Sequence, residues 1–369
     1  MELLKLMEDW KGYASLSDTG RQFTDAQITE TVNLLSNANN LPPHKREYLL
    51  REALTTSDFP YLFGDVLDRQ MLASYRAVDP VWKAFVKMST VKDFRTTRRI
   101  QMRGGDDALA QVAEKGEYLA SDRTEVPYYF NVDKYGRQFD ISWESMINDD
   151  LGALKDTPER FARAAVRTEH RIVTNLYARC ALYSAAQGNA ANAALTIGNL
   201  ETAVEAMQAF TDGVEILLNR PKYLVVPPGL EFTARQILTS ANKIWLTGTV
   251  DLALGPSTPY PTTNVIAQWG LQLIVDPYLS IYGGADRLTQ WYLFADPKDI
   301  AALEFAHLQG HERPEICMKS SDKVTVGGGS INPLSGDFAT DNVFYRVRHV
   351  FGGVLLDWRA TYMGGSTLA

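Results

Sequence analysis

The chain has 369 residues, of which 45% are hydrophobic, 22% are charged and 11% are aromatic. This length exceeds the size at which a single hydrophobic core usually stops growing, so we expect two or three lobes. The formal net charge of −7 argues against a general nucleic-acid binder that neutralises phosphates over its whole surface, although it leaves room for a basic stripe on one face.

The first 58 residues predict a series of short helices joined by polar segments. Each segment carries only a small apolar face, such as Leu3, Leu4 and Met7, and none of these faces could bury a core alone. We therefore expect an arm that lies on another surface, which could belong to another chain. Residues 59–90 predict a further helix and a compact apolar region around Trp82.

Residues 91–140 predict a long two-stranded hairpin, because segments rich in β-prone residues lie on both sides of the turn residues Gly104 and Gly105. A hairpin of this length is marginal in isolation and should rest on something else. Its charged residues are basic on the outgoing limb and acidic beyond the turn: Arg95, Arg98, Arg99 and Arg103, then Glu114 and Glu117. These charges could pair within the hairpin, or they could pair between neighbouring subunits.

A long helix is predicted from Thr157 to Tyr183. Thr157 is a suitable N-cap, and Pro158 has its φ angle already set for the first helical position. Residues at steps of three and four form one apolar stripe: Phe161, Ala165, Thr168, Ile172, Leu176, Cys180 and Tyr183. At 1.5 Å per residue this rod is about 40 Å long.

A second stripe of the same helix is basic, and it consists of Arg160, Arg163, Arg167 and Arg171. The simpler interpretation is a solvated face with local glutamate pairs. The alternative is a contact with a polyanion or with a neighbouring subunit.

The rest of the chain predicts an α/β lobe with a small central sheet. Helices are expected at 200–210, at 229–240 and from Asp296 to Leu303, a buried strand at 221–226, and further strands at 271–275 and 290–294. Residues 338–358 predict a final β region that turns at Gly352 and Gly353 and then resumes.

The sequence patterns that would indicate a catalytic site or a metal site are weak. His307, His311 and Cys317 are spaced like ligands, but Gly310 and Pro314 interrupt the helix that would hold both imidazoles on one face. The two cysteines, Cys180 and Cys317, give no disulfide framework and suit a reducing compartment. No stretch approaches the roughly 18 apolar residues of a membrane span. We expect a soluble protein without catalytic residues, cofactor, metal site or membrane partner.

The order of these segments resembles that of the major capsid proteins of tailed bacteriophages, the Hong Kong ninety-seven fold. The resemblance rests on three sequence segments: KYGRQFDISWESMINDDLGAL, PKYLVVPPGLEFTARQIL and VFYRVRHVFGGVLLDWRA. The resemblance implies an α+β fold. Its parts would be an N-arm (1–58), a lead-in to the P-domain (59–90), an extended hairpin or E-loop (91–140), the P-domain (141–219) with its spine helix (157–183), an α/β A-domain (220–338) and a β segment that returns to the P-domain (339–369).

The resemblance also implies a function. Many copies would assemble as hexamers and pentamers into an icosahedral head that encloses double-stranded DNA without sequence specificity. The location would be the virion, with assembly in the host cytoplasm, and the partners would be other copies, a portal and possible scaffold or decoration proteins. Two alternatives stay open: an encapsulin-like nanocompartment shell, and a cytosolic α+β enzyme with a hairpin lid.

Overall fold

A computed structural model of the chain describes residues 71–72, 74–75, 80–103, 111–112, 117–118, 120, 123–142, 151–178, 181–212, 215–217, 219–245, 260–282, 284–319, 337–340 and 342–366. The predicted N-arm (1–58) and the central part of the hairpin tip lie outside these residues, as does Cys180. Among the described residues, no helix combines the length and the apolar composition that crossing a membrane requires.

The described chain mixes helices with several small sheets, which confirms the predicted α+β class. The strands are β1 (Lys87–Val91), β2 (Thr97–Arg103), β3 (Thr124–Phe130), β4 (Asp133–Ile141), β5 (Ala190–Ala191), β6 (Pro221–Val226), β7 (Asn242–Trp245), β8 (Tyr260–Thr263), β9 (Gln272–Val275), β10 (Trp291–Ala295), β11 (Leu303–Leu308), β12 (Glu315–Met318), β13 (Val343–Leu355) and β14 (Thr361–Gly364). The α-helices are α1 (Leu151–Tyr177), α2 (Ile197–Gln208), α3 (Glu231–Thr239), α4 (Val265–Trp269) and α5 (Leu279–Tyr282).

The chain divides into two compact units. The first comprises the described parts of Met1–Asp79, Asp133–Thr168 and Gly310–Phe351. In this unit β13 pairs antiparallel with β4 on one side and with β12 on the other. Val343, Tyr345 and Val347 are buried at alternate positions of β13, as the period-two pattern of the sequence predicts. Phe139 of β4 stacks on Phe161 of α1 at a centroid distance of 4.7 Å, so the first half of the helix packs on this sheet.

The second unit comprises Pro80–Val132, Glu169–Gln309 and Gly352–Ala369. Here β1 pairs in parallel with β11. Trp82 packs on Phe305 with ring centroids 4.7 Å apart, and Phe85 stacks on Phe294 at 4.5 Å. Both Trp82 and Phe85 are buried, so the apolar region predicted just before the hairpin belongs to the core of this unit.

A five-stranded mixed sheet forms the other part of the second unit, with strand order β5, β14, β10, β6, β9. The predicted buried strand 221–226 is confirmed as β6, and the predicted helices at 200–210 and 229–240 are confirmed as α2 and α3. The helix expected from Asp296 is wrong. Asp296 instead accepts a hydrogen bond from the Lys298 N–H at 3.1 Å, which closes a turn before β11 begins.

The long helix differs from its prediction at both ends. It begins at Leu151 rather than Thr157 and ends at Tyr177 rather than Tyr183. Leu151 to Lys155 is composed mainly of strong helix formers, so the helix runs through Pro158 despite the hydrogen bond that a proline removes. At the other end the Ala178 N–H still donates to Thr174 O at 2.8 Å, after which the helix stops.

Gly352 and Gly353 do not form the predicted turn, because β13 continues through them to Leu355. A Cβ atom on Gly352 would lie 2.2 Å from Asn131 O, and one on Gly353 would lie 3.1 Å from a Leu176 methyl group. The two glycines therefore permit close approach of neighbouring segments within a continuous strand.

Several predicted boundaries also differ from the observed sheets. The hairpin range 91–140 includes β4, which pairs with β13 and not with the hairpin. The range 220–338 does not complete its sheet alone, since β5 and β14 come from outside it. Strand order is a long-range property that local periodicity does not determine.

Candidate assembly surface

The hairpin strands β2 and β3 form a two-stranded antiparallel ladder in which Thr97 faces Phe130 and Arg103 faces Thr124. Side chains alternate between the two faces of such a ladder, and directly opposed residues share a face. Arg99 and Tyr128 are opposed and lie on one face, while Arg98 and Tyr129 are opposed and lie on the other. The hairpin therefore has two chemically distinct faces.

We call the first of these the inner face, because its side chains contact the rest of the second unit. Arg99 Nη1 lies 2.5 Å from Glu304 Oε1, and the Tyr128 hydroxyl donates to Glu304 Oε2 at 2.8 Å. Gln101 Nε2 donates to Asp357 Oδ2 at 3.3 Å, and Phe130 is buried. Burial and the hydrogen bond to Glu304 raise the pKa of Tyr128 to about 12, so its hydroxyl stays a neutral donor at physiological pH.

The outer face consists of Arg98, Ile100, Glu125, Pro127 and Tyr129, all of which are exposed. Ile100 retains 45% of its surface in solvent and Tyr129 retains 57%. Ile100 lies directly opposite Pro127, so these apolar groups form one continuous patch with charged residues at its edges. A patch of this kind, apolar at the centre and polar at the rim, is typical of a protein interaction site.

The six charged residues predicted on the hairpin have different environments. Arg95 and Glu117 are exposed, and Arg98 is on the outer face. Arg99 makes an ion pair within its own chain, which the sequence interpretation of an inter-subunit contact did not anticipate. Arg103 lies in β2, where only its backbone is described, and Glu114 lies outside the described residues. Their proposed role between subunits stays a prediction.

The basic stripe of α1 is exposed at Arg160, Arg163, Arg167 and Arg171. Arg163 forms an i,i+4 ion pair with Glu159, as the simpler interpretation expects. Arg171 Nε donates to the Tyr282 hydroxyl at 3.1 Å, and its guanidinium lies 6.0 Å from the centre of that ring. The stripe thus combines local pairing with cationic groups directed to solvent.

The buried face of α1 differs from the predicted apolar stripe. Phe161, Thr168, Ile172 and Leu176 are only half-buried. The buried positions include the apolar or aromatic Ala162, Ala165, Val166, Val173 and Tyr177, of which only Ala165 belongs to the predicted stripe, and the polar Glu169, His170 and Thr174. Hydrophobic periodicity could not indicate Glu169, His170 and Thr174, because the burial of polar side chains depends on polar partners.

One of these partners is Asp276, which follows β9 and is itself buried. Its Oδ2 accepts hydrogen bonds from Thr174 at 2.6 Å and Tyr177 at 2.5 Å, and His170 Nε2 lies 3.0 Å from its Oδ1. Burial acts to raise the pKa of Asp276, but the contacts with His170, Thr174 and Tyr177 outweigh it and hold the pKa below its ordinary value. This network fixes the second half of α1 in place.

His307, His311 and Cys317 do not lie on one helix, because His307 is in strand β11 and Cys317 is in strand β12. His307 is buried in β11, where its ring packs edge-to-face on Phe305. His311 Nδ1 lies 2.5 Å from Glu315 Oε1, and Glu315 Oε2 lies 2.5 Å from the Arg348 guanidinium. Cys317 is a half-buried free thiol in β12.

Comparison with known proteins gives one family match. A family described as phage capsid protein matches residues 125–364, which is nearly two thirds of the chain. No curated protein matches the sequence. Similar solved structures include a chain of Gordonia phage Cozz (14% identity, 78% of this chain and 86% of that chain, TM-score 0.45). Others are a chain of Mycobacterium phage Cain (16% identity, 78% and 89%, TM-score 0.44) and the SrpI encapsulin complex of Synechococcus elongatus (12% identity, 78% and 88%, TM-score 0.44).

Proposed function

The chain belongs to the phage capsid protein family, and on this premise we propose that it assembles as hexamers and pentamers into the icosahedral head of a tailed phage. A phage capsid protein is a structural protein, and its place is the capsid of the virion. The proposal extends this to a closed shell around double-stranded DNA that forms in the host cytoplasm.

The family match is the observation that carries the proposal, and the two-faced hairpin supports it. Within a single copy the inner face contacts the rest of the second unit, where Phe130 is buried and Arg99 and Tyr128 are half-buried. The outer-face patch of Ile100, Pro127 and Tyr129 is left in solvent, where exposed apolar area is unfavourable. We propose that this patch packs on a neighbouring copy, with Arg98 as a polar contact at its edge and with Arg95, Arg103, Glu114 and Glu117 as further contacts between subunits.

The basic stripe of α1 is proposed to face packaged DNA. Arg160, Arg163, Arg167 and Arg171 are exposed on one helix, and guanidinium groups bind phosphates without reading base sequence. Contacts of this type release counterions, so they weaken as salt rises. A portal, and scaffold or decoration proteins, are further proposed partners.

Negative-stain electron microscopy of the purified full-length protein tests this proposal. Uniform shells, tubes or ring-shaped capsomers support it, whereas a small globular oligomer supports the enzyme alternative and contradicts it. Nuclease-protected double-stranded DNA in particles from the producing phage supports a genome shell. Shells that hold a protein cargo in place of DNA support the encapsulin-like alternative.

A further inference from the structure

Glu304 is a buried acid, the second residue of the largely apolar strand β11. Its exposed surface is 0%, and the other residues of β11 are buried as well. An ionised carboxylate in such a place is strongly unfavourable unless cations and hydrogen-bond donors compensate it. The sequence LEFAHL gives no local partner for this charge.

The compensating groups come from three other strands. Ser89 of β1 donates to Glu304 Oε1 at 2.5 Å, and Arg99 of β2 lies at the same distance from the same oxygen. Tyr128 of β3 donates to the second oxygen, Oε2, at 2.8 Å. Both carboxylate oxygens are therefore occupied, and two of the three donors belong to the hairpin.

The two hairpin donors are directly opposed across the β2–β3 ladder. A carboxylate that binds opposed residues of both strands restrains the ladder against rotation as well as against separation. Arg99 adds a second attachment, because its Nη2 donates to Thr90 O of β1 at 2.9 Å, and its guanidinium lies over the Phe130 ring at 5.5 Å. The hairpin base is thus attached to the β1–β11 pair through one buried charge.

From this geometry we infer that Glu304 is a positioning residue that fixes the direction in which the hairpin extends from the β1–β11 pair. The outer face, one residue away along each strand, is oriented by the same attachment, because Arg98 and Tyr129 alternate with Arg99 and Tyr128. Glu304 has this role within the folded chain whether or not the chain forms a shell.

Hydrogen exchange measured by mass spectrometry tests the inference on the full-length chain, at a concentration too low for assembly. Arg99→Met removes the cation, and Glu304→Gln removes the charge while keeping the side-chain shape. Each is expected to accelerate amide exchange in 97–103 and 124–130 by at least about tenfold, while exchange in 221–226 and 291–295 is unchanged. The double variant should exchange no faster than the faster single variant, because the two residues act as one pair.

Arg98→Met is the matched control, since Arg98 is the neighbouring arginine on the outer face. It should leave hairpin exchange as in the natural protein. Tyr128→Phe removes a single hydroxyl and gives a milder test if either charge variant fails to fold; it should accelerate exchange in the same two segments only. Unchanged hairpin exchange in these variants would overturn the inference, and so would equal acceleration in the five-stranded sheet, which would make Glu304 a general stability residue.

Discussion

Replacing Tyr129 by serine should raise the protein concentration that assembly requires. Tyr129 is on the outer face of the hairpin, and its side chain makes up much of the apolar patch proposed to contact a neighbouring copy. Serine removes the ring without introducing a charge. The substitution therefore tests the contact and leaves the inner-face attachment at Glu304 in place.

The size of the effect follows from the area that remains exposed. Tyr129 is 57% exposed, and because a tyrosine buries roughly 150 to 250 Å² in full, roughly 85 to 140 Å² is available to a neighbour. At about 25 cal/mol per Å², complete burial of this area contributes about 2 to 3.5 kcal/mol per copy. The entropic cost of association is the same for both proteins and cancels in the comparison. Even if only half of the area is buried, the required concentration rises about tenfold.

Light scattering against protein concentration measures this threshold. Ile216→Ser is the control, because Ile216 is also 57% exposed but lies outside the hairpin. The melting temperature of the unassembled Tyr129→Ser protein should equal that of the natural protein, which excludes misfolding as the cause. An unchanged assembly threshold in Tyr129→Ser would refute the assignment of the outer face as a contact.

Three other predictions follow from the described residues. Gly352→Ala should lower the melting temperature sharply, because its Cβ would lie 2.2 Å from a backbone oxygen, whereas Gly198→Ala, with nothing within 4 Å, should be neutral or raise it. The lowered pKa of Asp276 contributes stability above its unfolded pKa of about 3.9, and this contribution is lost as the pH falls through the still lower folded pKa. Urea unfolding should therefore show that the free energy of unfolding falls less between pH 7 and pH 3 in Asp276→Asn than in the natural protein. An equal decrease would contradict the assigned role. Arg163→Glu with Arg167→Glu should reduce the DNA content of particles, measured by absorbance after nuclease treatment, while unchanged content would favour a merely solvated stripe.

The sequence was sufficient for elements whose signal is local. β6 is an almost uninterrupted apolar run and is largely buried, and α2, at the position of a predicted helix, buries Leu200, Val204 and Met207 at helical spacing. The α+β class follows from such elements together. The bounds of α1 were less accurate, because Thr157 and Pro158 are typical of a helix start but also occur within this longer helix.

Features that depend on distant partners were not predictable. Glu304 is the clearest signal that was missed: an acid within a buried apolar strand requires a cation, but nothing local identifies Arg99 as that cation. Gly352 was interpreted as a turn because a glycine pair indicates one, although the close approach of Asn131 is its actual reason. The division of the hairpin into two faces likewise required the register of β2 and β3.

Cryo-electron microscopy of particles formed by the full-length chain tests the central claim most directly. The account predicts closed shells in which Ile100, Pro127 and Tyr129 are buried against a neighbouring copy, while Arg99 stays on Glu304 of its own chain. Compact monomers or small oligomers at high protein concentration would contradict it. Shells in which this patch remains in solvent would contradict the assigned surface.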